Sequence, residues 1–305
     1  MIAQAIGNLS GSSMVEKGSS DLTDTLSHVK EIVDSMIGSR LETLPRPLGS
    51  LLRQHVVGGG KRLRSLLLYL CYTDLKGGSL SQEDEDLMEK LCTLLELMHN
   101  YSLIHDDIID DDTTRRGVPC IHVQAGTGAA VLAGDDLLRE SFRILLEIDS
   151  GEVSRNFFEA AARTQEGQIL EITLANDATT TPEEYLRMIR WKTGCFFSAS
   201  CRLGALVAGA STDVQERCAH IGLELGTLYQ LRDDLDDLGT TGEGNAYETR
   251  DGWIRTLRRL EQEYHQRLMC ELSENETLPS VLLYLRHLDR IMGFPSEIEM
   301  ETVRP

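Results

Sequence analysis

Aromatic residues make up only 5% of this 305-residue chain and proline occurs 7 times. That scarcity disfavours a sandwich or barrel and, with 41% hydrophobic residues, suits a helical globular protein. Basic residues are also few: 30 Lys and Arg against 49 Asp and Glu give a formal charge of -19. Nucleic acid is therefore not an expected partner, because phosphate backbones are bound by basic patches. The same charge is unfavourable on anionic membrane surfaces. No apolar run approaches the ~18 residues of a membrane span. The longest, around Leu66 to Cys71, is far shorter. The seven cysteines contain no Cys-x-x-Cys pair, which reads as free thiols in a reducing cytosol and implies a cytoplasmic protein. The first twenty residues lack the basic start and apolar centre of a signal peptide and are expected to form a mobile tail. No Ser-His-Asp or Cys-His arrangement suggests a protein nucleophile.

What is abundant is helical periodicity. Apolar residues recur at helix spacing nearly everywhere after Leu22, while a period of two is hard to find. The expected fold class is all-α, with helices near 22–38, 47–57, 62–76, 82–110, 126–149, 152–176, 182–209, 212–238, 250–272 and 277–292. The breaks carry punctuation: Gly58-Gly59-Gly60, Gly77-Gly78, Gly117 with Pro119, Thr181-Pro182 and the stretch from Gly239 to Gly244. Length alone suggests about two domains. The absence of a low-complexity linker favours one, from 21 to 305.

Two helices end in bursts of aspartate, in LIHDDIIDDD (103–112) and YQLRDDLDDL (229–238). Asp106, Asp107 and Asp110 in the first, like Asp233, Asp234 and Asp237 in the second, are spaced by three and four residues and share one helix face. Like charges so placed repel, and more strongly where Ile108, Ile109 or Leu235 desolvates them. Oxygen ligands without His or Cys select Mg²⁺ or Mn²⁺, and Mg²⁺ is commonly held by a few carboxylates together with substrate phosphates. The chemistry this suits is departure of a diphosphate. For a lone cluster a solvated helix end explains the pattern equally well; two copies of identical spacing weigh against it.

Basic residues gather beside these clusters. Gly58-Gly59-Gly60-Lys61-Arg62-Leu63-Arg64 places three glycines before a basic helix start, where amides and cations could converge on a phosphate. Arg115-Arg116 directly follows the first cluster, as charge compensation or as a bidentate diphosphate clamp. His99 lies two turns before Asp106 on the same face. Lys192 is either a site residue or an ion-pair partner of nearby acids such as Glu183 and Glu184.

The ordered motifs GGGKRLR, ELMHNYSLIHDDIIDDDTTRRGVP, AVLAGDDLL, EGQILEI, WKTG and YQLRDDLDDL resemble those of the trans-polyprenyl diphosphate synthases, over roughly residues 45 to 240. The resemblance implies the isoprenoid synthase type I fold, a single large antiparallel helical bundle with a central active-site cavity, working as a homodimer. It implies three Mg²⁺ ions bound by Asp106, Asp107 and Asp110 with Asp233, Asp234 and Asp237. Isopentenyl diphosphate would be held by Lys61, Arg64, His99 and Arg116, and the allylic prenyl diphosphate by Arg115, Lys192, Thr193 and Gln230. Arg232 receives no role.

By the same resemblance the allylic diphosphate ionises, isopentenyl diphosphate attacks the cation, and a proton is lost to the released pyrophosphate. Tyr101 and Ser102, about one turn (~5 to 6 Å) deeper than Asp106, would form the floor of the product tunnel. The aromatic at 101 implies a short chain, C15 or C20. The compact cluster and Ser102 favour C20, geranylgeranyl diphosphate. Two alternatives are a class I terpene cyclase acting on a single prenyl diphosphate and a subunit of a heteromeric synthase. A cyclase would not need the isopentenyl diphosphate residues, and a non-catalytic subunit would be expected to lose aspartates. The sequence departs from the family pattern after Asp237, where GTTGEGNAYETRDG (239–252) contains no lysine.

Overall fold

A computed structural model of the chain describes residues 14–42, 44, 48–57, 59–77, 80–175, 179–241, 250–274 and 277–291. Residues 1–13, most of the expected tail, and residues 242–249, within the lysine-free segment, lie outside the described residues, as does Gly58.

The expectation of an all-α protein is met. The helices are α1 (Met14–Leu41), α2 (Leu48–Val56), α3 (Leu63–Lys76), α4 (Gln82–Ile109), α5 (Ile121–Ala125), α6 (Thr127–Ile148), α7 (Gly151–Leu174), α8 (Pro182–Ile189), α9 (Cys195–Val207), α10 (Thr212–Thr241), α11 (Arg250–Glu274) and α12 (Pro279–Ile291). No described helix is long and apolar enough to cross a membrane.

Three features differ from the sequence expectation. First, α1 starts at Met14, inside the segment expected to be a tail, and continues through buried Leu22, Val29, Val33, Ile37 and Leu41 at helical spacing. Second, the break after the first cluster contains an antiparallel hairpin, β1 (Thr114–Arg115) with β2 (Val118–Pro119). Its turn residues Arg116 (φ 54°) and Gly117 (φ 79°) both have positive φ, the requirement of a type I′ turn. Two-residue strands are too short to show a period. Third, the helix expected over 182–209 is interrupted by a π-helical turn, Arg190–Gly194.

Contacts gather the chain into two compact units. Among the described residues, the first comprises those of Thr23–Tyr69 and Gly78–Ser154. Here α4 packs on α6, whose Ala130, Ala133, Leu137 and Ile144 are fully buried. Small and branched residues in alternation let the two helices approach closely. A capping box starts α4: Ser81 Oγ accepts from the Asp84 amide (3.2 Å), and the Asp84 carboxylate accepts from the Ser81 amide (3.0 Å).

The second unit comprises, among the described residues, Leu70–Gly77 and those from Arg155 onward, with the start of α1 up to Leu22. Its α9 and α11 both pack on α10. Asp74, near the end of α3, accepts from the Ser280 amide (2.9 Å) and hydroxyl (2.6 Å), so a carboxylate distant in sequence caps the start of α12. Another capping box, Thr181 with Glu184, and Pro182 at the first helical position start α8.

Candidate functional site

In the first unit, the four residues Lys61 to Arg64 divide by direction. Lys61 is exposed and Arg64 half-buried, whereas Arg62 is 2% exposed. The Arg62 guanidinium donates to Asp34 Oδ1 (2.5 Å), Glu96 Oε2 (2.9 Å) and the Val56 carbonyl (2.5 Å). Glu96 also accepts from Ser65 Oγ (3.2 Å). Arg62 therefore anchors the glycine loop from inside, at a left-handed φ of 50°.

The glycines have a specific neighbour. A Cβ on Gly60 (φ 84°) would lie 2.9 Å from Arg116 Nη2, and one on Gly59 would lie 2.7 Å from Arg116 Nη1. The loop is bare because the Arg116 guanidinium lies against it. The hairpin turn delivers Arg116 to that place. Among the described residues Arg116 forms no ion pair. Its proton affinity is lowered by desolvation first, and then by the neighbouring cations Arg62 and Arg115. Arg115 behaves differently: it pairs with Asp107 and, at 3.3 Å, with Asp112. Of the two roles open for the pair in sequence, Arg115 here compensates charge.

His99, on α4, is held well below the usual imidazole range by desolvation first, and then by Arg64, Arg116, Arg62 and Arg115. A neutral imidazole amid four cations is the electrostatic signature of a place prepared for an anion. Next to it, a cavity of 420 Å³ is lined by His55, Asn100, Asp107, Arg115 and Arg116 among others.

The first cluster ends α4. Asp110 is its C-cap, its amide donating to the Asp106 carbonyl (2.8 Å). Asp107 is 4% exposed, whereas Asp110 is exposed. One turn back, the Tyr101 ring meets the His105 ring edge-on, with centroids 4.6 Å apart. Ser102 turns its hydroxyl back to the His99 carbonyl (2.9 Å).

In the second unit, the π turn carries Trp191, Lys192 and Thr193, and π turns concentrate at functional sites. Gly167 of EGQILEI makes room for it: a Cβ there would lie 2.2 Å from the Lys192 amide nitrogen. Lys192 pairs with Glu171 of the same motif. Thr193 Oγ1 donates to Gln230 Oε1 (2.8 Å), and Gln230 Nε2 donates to Asp234 Oδ1 (2.8 Å). The Tyr185 hydroxyl donates to Asp234 Oδ2. Thr193 and Gln230 thus lead to a carboxylate of the second cluster.

Burial raises the Asp234 carboxyl to about 6, against the hydrogen bonds from Tyr185 and Gln230 and with help from Asp233 and Glu171. Arg232, without a role in sequence, is 1% exposed and paired with Glu261 (3.0 Å) and Asp289 (2.8 Å), joining α10 to α11 and α12.

Sequence reasoning missed Asp34, Glu96, Tyr185 and Glu171. Tyr185 had one local signal, its place one residue after a capping box. Glu171 lay inside a motif already quoted. Asp34 and Glu96 had none, because each meets its partner only through tertiary packing.

No group of three His, Cys, Asp or Glu side chains among the described residues forms a ready-made metal cage. The donors nevertheless suit Mg²⁺, which needs only one or two carboxylates when phosphates and water complete its shell. The raised Asp234 marks a carboxylate whose charged form burial disfavours and a cation would favour.

Comparison with known proteins gives this pattern a family. The chain is 38% identical over 192 residues to a geranylgeranyl diphosphate synthase of Saccharolobus solfataricus, covering 61% of this chain and 55% of that one. It is 34% identical over 223 residues to one of Methanosarcina mazei, covering 72% and 66%. The match therefore spans about half to two thirds of these relatives' own length. A solved geranyltranstransferase of Thermotoga maritima aligns with a TM-score of 0.77 at 25% identity, over 88% of this chain and 98% of that one. Residues 46–246 match the sequence profile described as Polyprenyl synthetase, and the chain belongs to that family.

Proposed function

We propose that the chain is a short-chain trans-prenyl diphosphate synthase, condensing isopentenyl diphosphate with an allylic diphosphate. The observation that carries this is the set of basic groups around His99 in the first unit: Arg64 and Arg116 beside a neutral imidazole and a bare glycine loop. A cyclase acting on one prenyl diphosphate has no use for a second diphosphate site. A non-catalytic subunit has no reason to keep both aspartate clusters.

In this mechanism Lys61, Arg64 and Arg116 bind the isopentenyl diphosphate anion, and His99 donates a hydrogen bond as a neutral ring. Asp106, Asp107 and Asp110, and Asp233, Asp234 and Asp237, would hold Mg²⁺, three ions in all by family resemblance. Once bound, the ion supplies charge neutralisation at the departing oxygens. The allylic C–O bond breaks, the isopentenyl double bond forms the new C–C bond, and the proton lost leaves with pyrophosphate. Arg115, Lys192 and Thr193 serve the allylic substrate, Arg115 after exchanging Asp107 for a phosphate.

The reading of a C20 product, with Tyr101 and Ser102 as the floor, is supported by the geranylgeranyl diphosphate synthases among the similar proteins, which also include geranylfarnesyl diphosphate synthases. Homodimerisation is supported by exposed apolar rows, Leu132, Phe142 and Leu146 on α6 and Phe158, Ile169 and Ile172 on α7. The cysteines, all free, suit a reducing cytoplasm.

The test is incubation of purified protein and Mg²⁺ with isopentenyl diphosphate and each allylic primer, with products analysed before and after phosphatase treatment. A C20 diphosphate requiring both substrates and metal is expected. A hydrocarbon formed without isopentenyl diphosphate would overturn the proposal.

A further inference from the structure

Arg116 stands in a two-residue hairpin, and a turn so short does not hold itself in place. Its conformation is unfavourable as well, since a non-glycine residue at φ 54° is uncommon. Contacts outside the hairpin must fix it: Arg115 pairs with Asp107 on the β1 side, and the β2 side has a tie of its own. The Gln124 side-chain amide, on α5, donates to the Pro119 carbonyl at the end of β2 (2.6 Å). The same nitrogen lies 2.9 Å from His55 Nε2, in the last turn of α2.

The carbonyl partner settles the amide's orientation, because only its NH₂ can donate to Pro119. Its second hydrogen then points to His55 Nε2, which must accept. The ring is therefore neutral, with its proton on Nδ1. Desolvation, the largest influence on His55, favours the neutral ring, and Arg116 adds to it against the opposing effect of Asp107. One amide nitrogen thus ties the hairpin to the helix that leads into the glycine loop. That loop is the surface against which Arg116 rests.

We propose that His55 and Gln124 are positioning residues for Arg116: their shared hydrogen bonds hold the hairpin so that the guanidinium meets the isopentenyl diphosphate anion. The assignment to that substrate rests on the function proposed above; the mechanical coupling does not. Neither residue touches the reacting atoms, and neither was singled out by the sequence.

Three substitutions in the full-length protein separate the possibilities. His55→Leu removes the acceptor, and Gln124→Glu removes the donors at nearly constant shape. His55→Gln returns a carbonyl oxygen near the position of Nε2. The first two should each raise KM for isopentenyl diphosphate about tenfold, the effect of one lost hydrogen bond. KM for the allylic primer and kcat should change less than threefold, and the double variant should be no worse than either single one. His55→Gln should restore most of the affinity.

Backbone hydrogen exchange of 113–119 gives a readout free of catalysis, and should accelerate in His55→Leu and Gln124→Glu relative to the rest of the chain. Unchanged exchange there would overturn the proposal even if activity fell. Equal rises in KM for both substrates would also overturn it, by showing a general loss of structure. If the wild-type protein turns over no isopentenyl diphosphate, the functional proposal fails while the exchange experiment still decides the brace.

Discussion

Arg62 and Arg64 are two residues apart in one basic run, and their replacement should have different consequences. The Arg62 side chain is 0% exposed, and its partners Glu96 and Asp34 are 3% and 18% exposed. Arg62→Met leaves two carboxylates with no counter-ion in a site largely closed to water. Removing one member of a buried pair costs ~3–5 kcal/mol, mostly from the charge left behind. That is a large share of the ~5–15 kcal/mol that holds a domain together. In a thermal melt, the transition involving the first unit should fall by roughly 6–20 °C. Adding Glu96→Gln to Arg62→Met removes one stranded charge and should recover part of the loss, which separates charge burial from packing. Arg64→Met, at a half-buried position, should lower the melting temperature less than Arg62→Met does and raise KM for isopentenyl diphosphate. An Arg62→Met protein with wild-type stability and impaired substrate binding would refute the division of roles.

Other expectations follow from the same geometry. Gly60→Ala places a methyl 2.9 Å from Arg116 Nη2 at a φ of 84°; stability should fall by ~1–2 kcal/mol and KM for isopentenyl diphosphate should rise, both measurable on one preparation. His99 should titrate below the ordinary imidazole range by NMR, and added pyrophosphate should raise it by offsetting Arg64 and Arg116. Because its folded value is lowered, the unfolded chain binds more protons, so this group's contribution to stability is present above the ordinary pKa of ~6.5 and is lost as pH falls below it. Tyr101→Ala should lengthen the product by opening the floor beneath Asp106, and an unchanged product distribution by mass spectrometry would remove Tyr101 from that role.

Helix placement was legible in sequence because long amphipathic stretches repeat their signal over many turns. The expected 82–110 became Gln82–Ile109 and the expected 152–176 became Gly151–Leu174. The hairpin was not legible, since two residues per strand carry no periodicity and its turn uses an arginine where Asn or Gly is usual. The π turn was hidden for the opposite reason: one extra residue in a helix changes the hydrophobic phase too little to notice. At the candidate site, residue types and spacing located the basic run but could not say which cation faces inward. That distinction depends on Asp34 and Glu96, which lie 28 and 34 residues from Arg62.

The same limit applies to the aspartate clusters, whose identical spacing conceals different chemistry. In the first, Asp107 is buried against a cation, Arg115, so its charge is compensated before any ligand arrives. A phosphate that draws Arg115 away would uncover that carboxylate for a metal in the same event, coupling substrate binding to metal binding on the first unit. In the second, Asp234 is held by neutral donors, Tyr185 and Gln230, and burial raises its carboxyl to about 6. Neutral donors orient a carboxylate without cancelling its charge, so a cation arriving at Asp234 would relieve the cost of its burial. If both motifs bind a metal, they would do so at different moments: Asp107 once an anion has drawn Arg115 away, Asp234 without that exchange.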